Sequence, residues 1–418
     1  MVRRQARDGS QERRFSVTIL AVQYLEPGPH LVTLTPGEVR AKLRAALAQL
    51  PISLVLLGWH VPQPLLDVCR EEAARTGARL FRWQPLLTGD GTFMPRPEWR
   101  AIGLSGEPAP GFHNMPEFTF ACPNQPAVRE AVRAHLQQVI KDNHYAGFFL
   151  DRIRYPSPAA DPARWLACFC PACHRAAAEM DFDLAAAHRH IKRLLAEPEQ
   201  TRSFIHHLLD PAPAEPANPA TASLQTFLNF RALSITRFIQ AIAAMLRAEG
   251  LAVGLDCFSP ALTHLVGQDL AELDACAAWT KVMTYAHTLG PAGLPFELLG
   301  LANWLVAQRG VAESQAMAWL AQATRLPLPL TRVRLQAEGV SSEALQAEIK
   351  RARQSGLKTL LAGLEFVELE GVAQLKPDQI RADLQAVRLA GADGLVLSWD
   401  LWAIPLERLR LIQDFFLN

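Results

Sequence analysis

The sequence predicts an α/β protein, a (β/α)8 TIM barrel with a cysteine-rich insertion after strand 4 and an extended loop region after strand 6. Three observations lead there. From Phe15 onward, apolar runs of strand length alternate with amphipathic helical stretches, the pattern of a parallel sheet with crossover helices. The runs number eight, the count that closes a small barrel. The rival architecture, a doubly wound sheet, wants a glycine-rich turn after its first strand. The segment at that place, Glu26-Pro-Gly-Pro-His30, has no phosphate-cradling pattern.

Taken in order, strands are expected at residues 16–24, 52–59, 79–85, 147–151, 252–258, 280–285, 359–366 and 394–399. Each is the kind of apolar run that a strand buried on both faces needs. Helices are expected between them at 36–49, 64–76, 125–143, 224–249, 342–355 and 376–390. Their period fits: Val128, Val132, Leu136, Val139 and Ile140 share one face, and so do Ile380, Leu384 and Val387. Two regions exceed ordinary barrel loops. Residues 157–223 hold the cysteine cluster, helical segments and a Pro/Ala tract at 210–221, which reads as a stiff extended linker. Residues 286–341 begin near Gly290-Pro-Ala-Gly293 and carry a helical stretch around Trp304 and Trp319. Both follow strand C-termini, so both should rise over the face where barrels carry their sites. Residues 1–14 are basic and polar and are expected to form a disordered tail, leaving 15–418 as a single barrel domain.

A length of 418 residues suits a barrel with insertions. The chain is 50% hydrophobic and carries a net charge of +1, which argues against a nucleic-acid groove or an acidic tail and for an uncharged partner. The N-terminus has no apolar stretch of the signal-peptide kind, and no later run is long enough to span a bilayer. The expectation is a soluble, cytoplasmic protein. Seven cysteines, an odd number with four at metal-like spacing, suit a reducing compartment better than a disulfide framework.

The stretch from Tyr145 to Ser157 runs apolar and small residues straight into Asp151, two arginines, a tyrosine and a proline, a buried strand ending in a polar mouth. An acid at that place in a barrel is a catalytic candidate. The plainer alternative is an ion pair with Arg152 or Arg154. Cys168-Phe-Cys170-Pro-Ala-Cys173 then gives three thiols within six residues, a spacing that suits tetrahedral zinc and needs a fourth ligand. Cys122, in the loop after strand 3, is the best candidate, with His174 or His113 as substitutes. Four such ligands close the shell, so the metal would brace the rim rather than activate water. The alternative is that these are small buried hydrophobes, as Cys69, Cys257 and Cys276 are expected to be.

A resemblance enters on these residues. Phe120-Ala-Cys-Pro-Asn-Gln-Pro-Ala-Val-Arg-Glu130, the strand-4 acid and the Cys-x-Cys-x-x-Cys group together resemble barrel glycoside hydrolases. The cysteine arrangement is similar to the zinc site of family 42 beta-galactosidases, over about the middle quarter of the chain. It departs from that family at the catalytic acid, where Asn-Glu is replaced by Leu150-Asp151-Arg152. Residues 147–156 instead resemble barrels grouped as hypothetical glycoside hydrolases, whose fourth strand carries a comparable Asp followed by Tyr-Pro or Phe-Pro. The resemblance implies a glycosidase acting on a carbohydrate.

Glycoside hydrolysis needs two carboxyl groups flanking one bond. The strand ends offer Asp151, Asp256, Glu365 and Asp400, with Glu368 beyond its strand. Gly363 and Glu365 share a face opposite Leu364 and Phe366, so Glu365 should point inward. Asp151 is assigned as nucleophile or electrostatic stabiliser and Glu365 as acid/base, with Asp256 and Asp400 as alternatives or as groups that orient hydroxyls. Trp59, Trp83, Tyr155, Tyr285, Trp399 and Trp402 collect at the same ends and offer platforms for sugar rings, although any one alone could be core. Lys281 lies below Tyr285 on one face of strand 6, placed to pair with an acid and lower its pKa. His60, His287 and Arg154 complete the expected substrate contacts, the histidines being as easily loop residues. A His-x-His on the first strand, glycine loops after strands 7 and 8, and a Gly-x-Ser-x-Gly elbow are all missing, which argues against metal-dependent, phosphate-binding and acyl-transfer barrels. The reading is a retaining glycoside hydrolase with a structural zinc. The alternative is a silent barrel that binds carbohydrate or serves as a scaffold.

Overall fold

The computed structural model describes residues 18–89, 93–111, 118–142, 145–213 and 218–417; the tail expected at 1–14 lies outside them. Among the described residues eight parallel strands pair in sequence order and close on themselves: β1 (Ile19–Tyr24), β2 (Leu54–Leu57), β3 (Arg79–Pro85), β4 (Gly147–Asp151), β5 (Ala252–Phe258), β6 (Trp279–Met283), β7 (Leu360–Glu365) and β8 (Gly394–Ser398). This is the expected barrel with helices between its strands. Two strands, β2 and β6, stop two residues short of the C-terminal ends of their expected runs. Gly58 and Trp59 leave the sheet as His60 takes a left-handed backbone, φ 57°. Thr284 turns back to donate to Val282 O, ending β6 before Tyr285.

Period-two alternation sorts the side chains. Val22, Tyr24, Val55, Leu57, Phe148 and Leu150 face the helix layer and join its core. Leu54, Leu56, Phe81, Trp83, Phe149, Trp279, Leu361 and Val396 form a separate cluster inside the barrel. Aromatic rings dominate that interior: Phe149 stacks on Trp279 at 5.2 Å, and Trp83 meets Trp59 edge-on at 5.1 Å. Space for Trp279 comes from its register partner on β5, Gly254, where a Cβ would lie 2.2 Å from the indole ring. One inward step further along the strands the layer turns polar, with Gln23, Asp256, Lys281, Glu365 and Ser398 all buried. The apolar plug therefore sets the floor on which the polar mouth rests.

Local signals explain where the surrounding helices begin. Thr35 and Glu38 form a capping box around Pro36, opening the helix Pro36–Gln49. Asn218 accepts from Ala220 N and Thr221 N and starts the long helix Pro219–Ala248. The Pro/Ala tract thus ends as a helix start, because proline in the first turn gives up only a donor that would be unpaired anyway. Against this long helix pack the helices Leu184–Ala196 and Thr201–Leu209 of the first insertion. The region after β6 folds into the helices Leu294–Ala307, Glu313–Thr324 and Arg332–Glu338. No helix among the described residues is long and apolar enough to cross a membrane.

Candidate functional site

Lys281 is the centre of the polar layer. Its fully buried ammonium donates to Asp256 Oδ2 at 3.0 Å, Gln23 Oε1 at 3.0 Å and Tyr285 OH at 2.7 Å, which uses all three of its donors. Ser398 Oγ donates to the same Gln23 oxygen. Strand register explains the pair, since Asp256 and Lys281 are direct partners across β5 and β6. The expected pairing forms, but it does not lower the acid's pKa: burial outweighs Lys281, and Asp151 adds to the rise, so Asp256 is pushed up to about 7. Its Oδ1 is buried without a hydrogen-bond partner among the described residues.

Asp151 and Glu365 end β4 and β7. Asp151 accepts from Trp83 Nε1 at 2.9 Å and from Arg152 N, and its carboxylate lies 4.0 Å from the Arg152 guanidinium. Glu365 accepts from His287 N on one oxygen, and burial pushes its carboxyl up to about 7 against the pull of the His287 charge. His287 is itself held between Asp383 Oδ2 at 3.0 Å and Glu338 O at 2.9 Å. Burial opposes its charge, yet Asp383 and Glu365 raise it to about 9. Burial and then the charges of Asp256, Asp151 and Glu365 all raise Tyr285.

Other expected contacts sit elsewhere. Asp400 accepts from the backbone N–H groups of Leu25, Glu26 and Trp402, which ties the loop after β1 to the loop after β8. Tyr155 is fully buried beneath Arg231, 5.0 Å from guanidinium to ring, and beside Gly267. It faces the long helix, not the mouth. Trp59 and Trp83 belong to the interior cluster, and Trp83 acts on Asp151. Trp399 and Trp402 are half-buried and His60 is exposed; Trp399 lies edge-on to Tyr285 at 6.1 Å.

A cleft of about 790 Å³ opens between the loops after β3, β4 and β6. Its lining includes Arg154, Glu297, Ser157, Trp165 and Phe296, and does not include Asp151, Asp256 or Glu365. Glu297 accepts from Ser157 Oγ and from Ala292 N, and burial raises its carboxyl.

On the rim the Sγ atoms of Cys122, Cys168, Cys170 and Cys173 all lie within 4.8 Å of one another, and all four residues are buried. Cys122 is 3.4 Å from Cys173 and 3.6 Å from Cys170, close to the edge of about 3.8 Å expected of four sulfurs held at about 2.3 Å around one ion. Around them Ile102 N donates to Cys168 and Asn124 Nδ2 to Cys173. Asn124 also donates to Ser234 on the long helix. One turn earlier Arg231 is fully buried with Nε and Nη2 unpartnered among the described residues, and its charge is felt at Cys168 and Cys173. A buried cation with spare donors beside four sulfurs fits a metal-bound, net-negative thiolate set. His174 is exposed outside the set, and His113 lies outside the described residues.

The solved structures to which the chain is similar in fold include glycoside hydrolases. The chain is similar to the PgaB (BpsB) glycoside hydrolase domain from Bordetella bronchiseptica, with TM-score 0.50 and 13% identity over 96% of this chain and 99% of that one. It is similar to the cold-adapted beta-galactosidase from Rahnella sp. R3, with TM-score 0.52 and 14% identity over 94% of this chain and 55% of that one. The same holds for Gan42B, a GH42 beta-galactosidase, with TM-score 0.55 and 11% identity over 95% and 55%. The chain spans about half the length of these two galactosidases. No family model and no curated protein matches the sequence. At these identities the likeness is one of fold.

Sequence reasoning passed over Gln23, Ser398 and Glu297. Two of them carried a signal: Gln23 is the polar residue on the inward face of an otherwise apolar strand, and Glu297 is the lone acid of the apolar helix Leu294–Ala307.

Proposed function

We propose that this barrel is a glycoside hydrolase that cleaves an oligo- or polysaccharide with retention, using Asp151 and Glu365. The supporting observation is the contrast between the two carboxyls. Asp151 is surrounded by donors, which suits an anion that attacks or stabilises the developing oxocarbenium ion. Glu365 has one oxygen occupied by His287 N and a carboxyl raised to about 7, which suits a group that delivers a proton to the leaving oxygen and then takes one from water. Asp256 and Tyr285, fixed by Lys281, would receive substrate hydroxyls, and Trp399 would face a sugar ring.

The four cysteines would hold a zinc ion. Held by four thiolates, such an ion has no open position and serves to tie the loop after β3 to the insertion after β4. Seven unpaired cysteines accord with a reducing compartment, and we place the protein in the cytoplasm.

One observation favours the silent carbohydrate-binding barrel instead: the three mouth acids are buried and do not line the large cleft. The deciding experiment is hydrolysis of an aryl-glycoside panel by the wild type beside Asp151→Asn and Glu365→Gln, with the first-formed anomer read by NMR. Turnover of one sugar that both substitutions abolish supports the proposal. A folded wild type that turns over no sugar supports the silent barrel.

A further inference from the structure

Arg154 lines the cleft and is the cation there without a counter-charge in contact. It is 7% exposed and clamped between the rings of Phe120 and Phe258, 4.6 and 4.4 Å from its guanidinium carbon. Nη1 donates to Tyr155 O at 3.2 Å; among the described residues Arg154 makes no other hydrogen bond and no ion pair. A guanidinium has five donors in a fixed fork, so most of this fork is unused where it meets the cleft.

Burial lowers Arg154 to about 10, so it keeps its charge at neutral pH. Holding that charge out of water without a contacting anion is costly. The fields of Glu297, Asp151 and Asp256 reach it, but none of the three touches it. The other cleft arginine differs. Arg332 lies 3.6 Å from Glu313 and donates through Nη1 to Asn303 Oδ1 at 2.8 Å. Glu297 lines the same cleft with its oxygens already accepting from Ser157 and Ala292, and burial pushes its carboxyl up. Trp165, Phe118 and Phe296 supply apolar faces nearby.

We infer that this cleft takes a negatively charged sugar, with the carboxylate of a uronic acid seated on the Arg154 fork. A planar carboxylate matches the fork with two parallel N–H···O bonds, and the two rings hold the guanidinium plane fixed for it. The inference rests on the carbohydrate reading above but not on hydrolysis.

The test is calorimetry of the full chain with trimers of galacturonate, glucuronate and mannuronate, their neutral counterparts, and a sulfated trisaccharide. At least one uronate trimer should bind ten-fold or more tighter than its neutral counterpart. Arg154→Gln should erase that preference and Arg154→Lys keep part of it, with melting curves checking both folds. The wild-type comparison stands even where a variant fails to fold. Neutral trimers binding as tightly as the uronates, or no binding by any uronate, overturns the inference. Preference for the sulfated sugar over every uronate overturns the carboxylate assignment. Uronate binding without turnover keeps this inference and removes the hydrolase reading; turnover of neutral glycosides with no uronate preference does the reverse.

Discussion

At the barrel mouth an ammonium, three carboxyls and a phenol are interleaved on four strands and the loops that follow them, and each group's charge depends on its neighbours. On the rim four identical side chains converge from two loops, with a single guanidinium behind them. The mouth keeps two acids raised to about 7 and one carboxylate oxygen unpartnered. The rim brings four sulfurs within 4.8 Å of one another. An arrangement with spare proton capacity is suited to chemistry, whereas one that closes on itself is suited to holding loops in place.

Four experiments would break or sharpen that contrast. The largest effect is expected from Asp151→Asn, which should lower kcat/KM by about 10³-fold or more while the melting temperature stays within a few degrees; an active variant would separate Asp151 from the chemistry. Next, Cys170→Ser should release about one metal per chain, measured by elemental analysis, and cost roughly 4 kcal/mol in denaturant unfolding. A metal-free wild type of equal stability would make the rim an ordinary apolar cluster.

Lys281→Met should cost about 3 kcal/mol near pH 8, because Asp256 loses the ammonium that holds its carboxyl down and must either stay charged unpaired or take up a proton against the pH. The loss should shrink near pH 5, where Asp256, raised to about 7, takes up a proton. A cost independent of pH would mean that the ammonium matters through packing alone.

The smallest effect is in the pH profile. Glu365 and Asp256 have folded values above their ordinary 4.5 and 3.8. Their contribution to stability is therefore full below those ordinary values and is lost as pH rises through about 7. His264, lowered by burial from 6.5 to about 4, works the other way, contributing fully above 6.5 and losing that contribution as pH falls through about 4. Melting temperature should thus fall gently from pH 5 to 8, and Glu365→Gln should flatten part of that slope. Activity should decline above about pH 7 as Glu365 loses its proton.

The barrel was legible because buried strands and amphipathic helices leave distinct periods. The inward placement of Glu365 was expected from strand alternation, and that of Lys281 from the face it shares with Tyr285. Tyr155 was misplaced because that alternation stops at Arg152, whose φ of 51° turns the chain so that counting by twos no longer reports direction. The partners of Asp400, Leu25 and Glu26, lie about 375 residues away from it in sequence, a closure of the barrel that no local pattern encodes. The cysteine set was readable because three of its members are adjacent in sequence. The partner of Lys281 required the register between two strands.

The helix Pro219–Ala248 has 30 residues and so runs about 45 Å, while the seven residues of β5 that it leads into cover only about 23 Å. Half of that helix has no strand to lie along. The overhang works as a mast standing off the barrel, with the insertion hung from it and the cysteine set lashing it near its middle. The helices Leu184–Ala196 and Thr201–Leu209 thus bear on the mast and not on the sheet, which keeps the insertion mechanically apart from strand register.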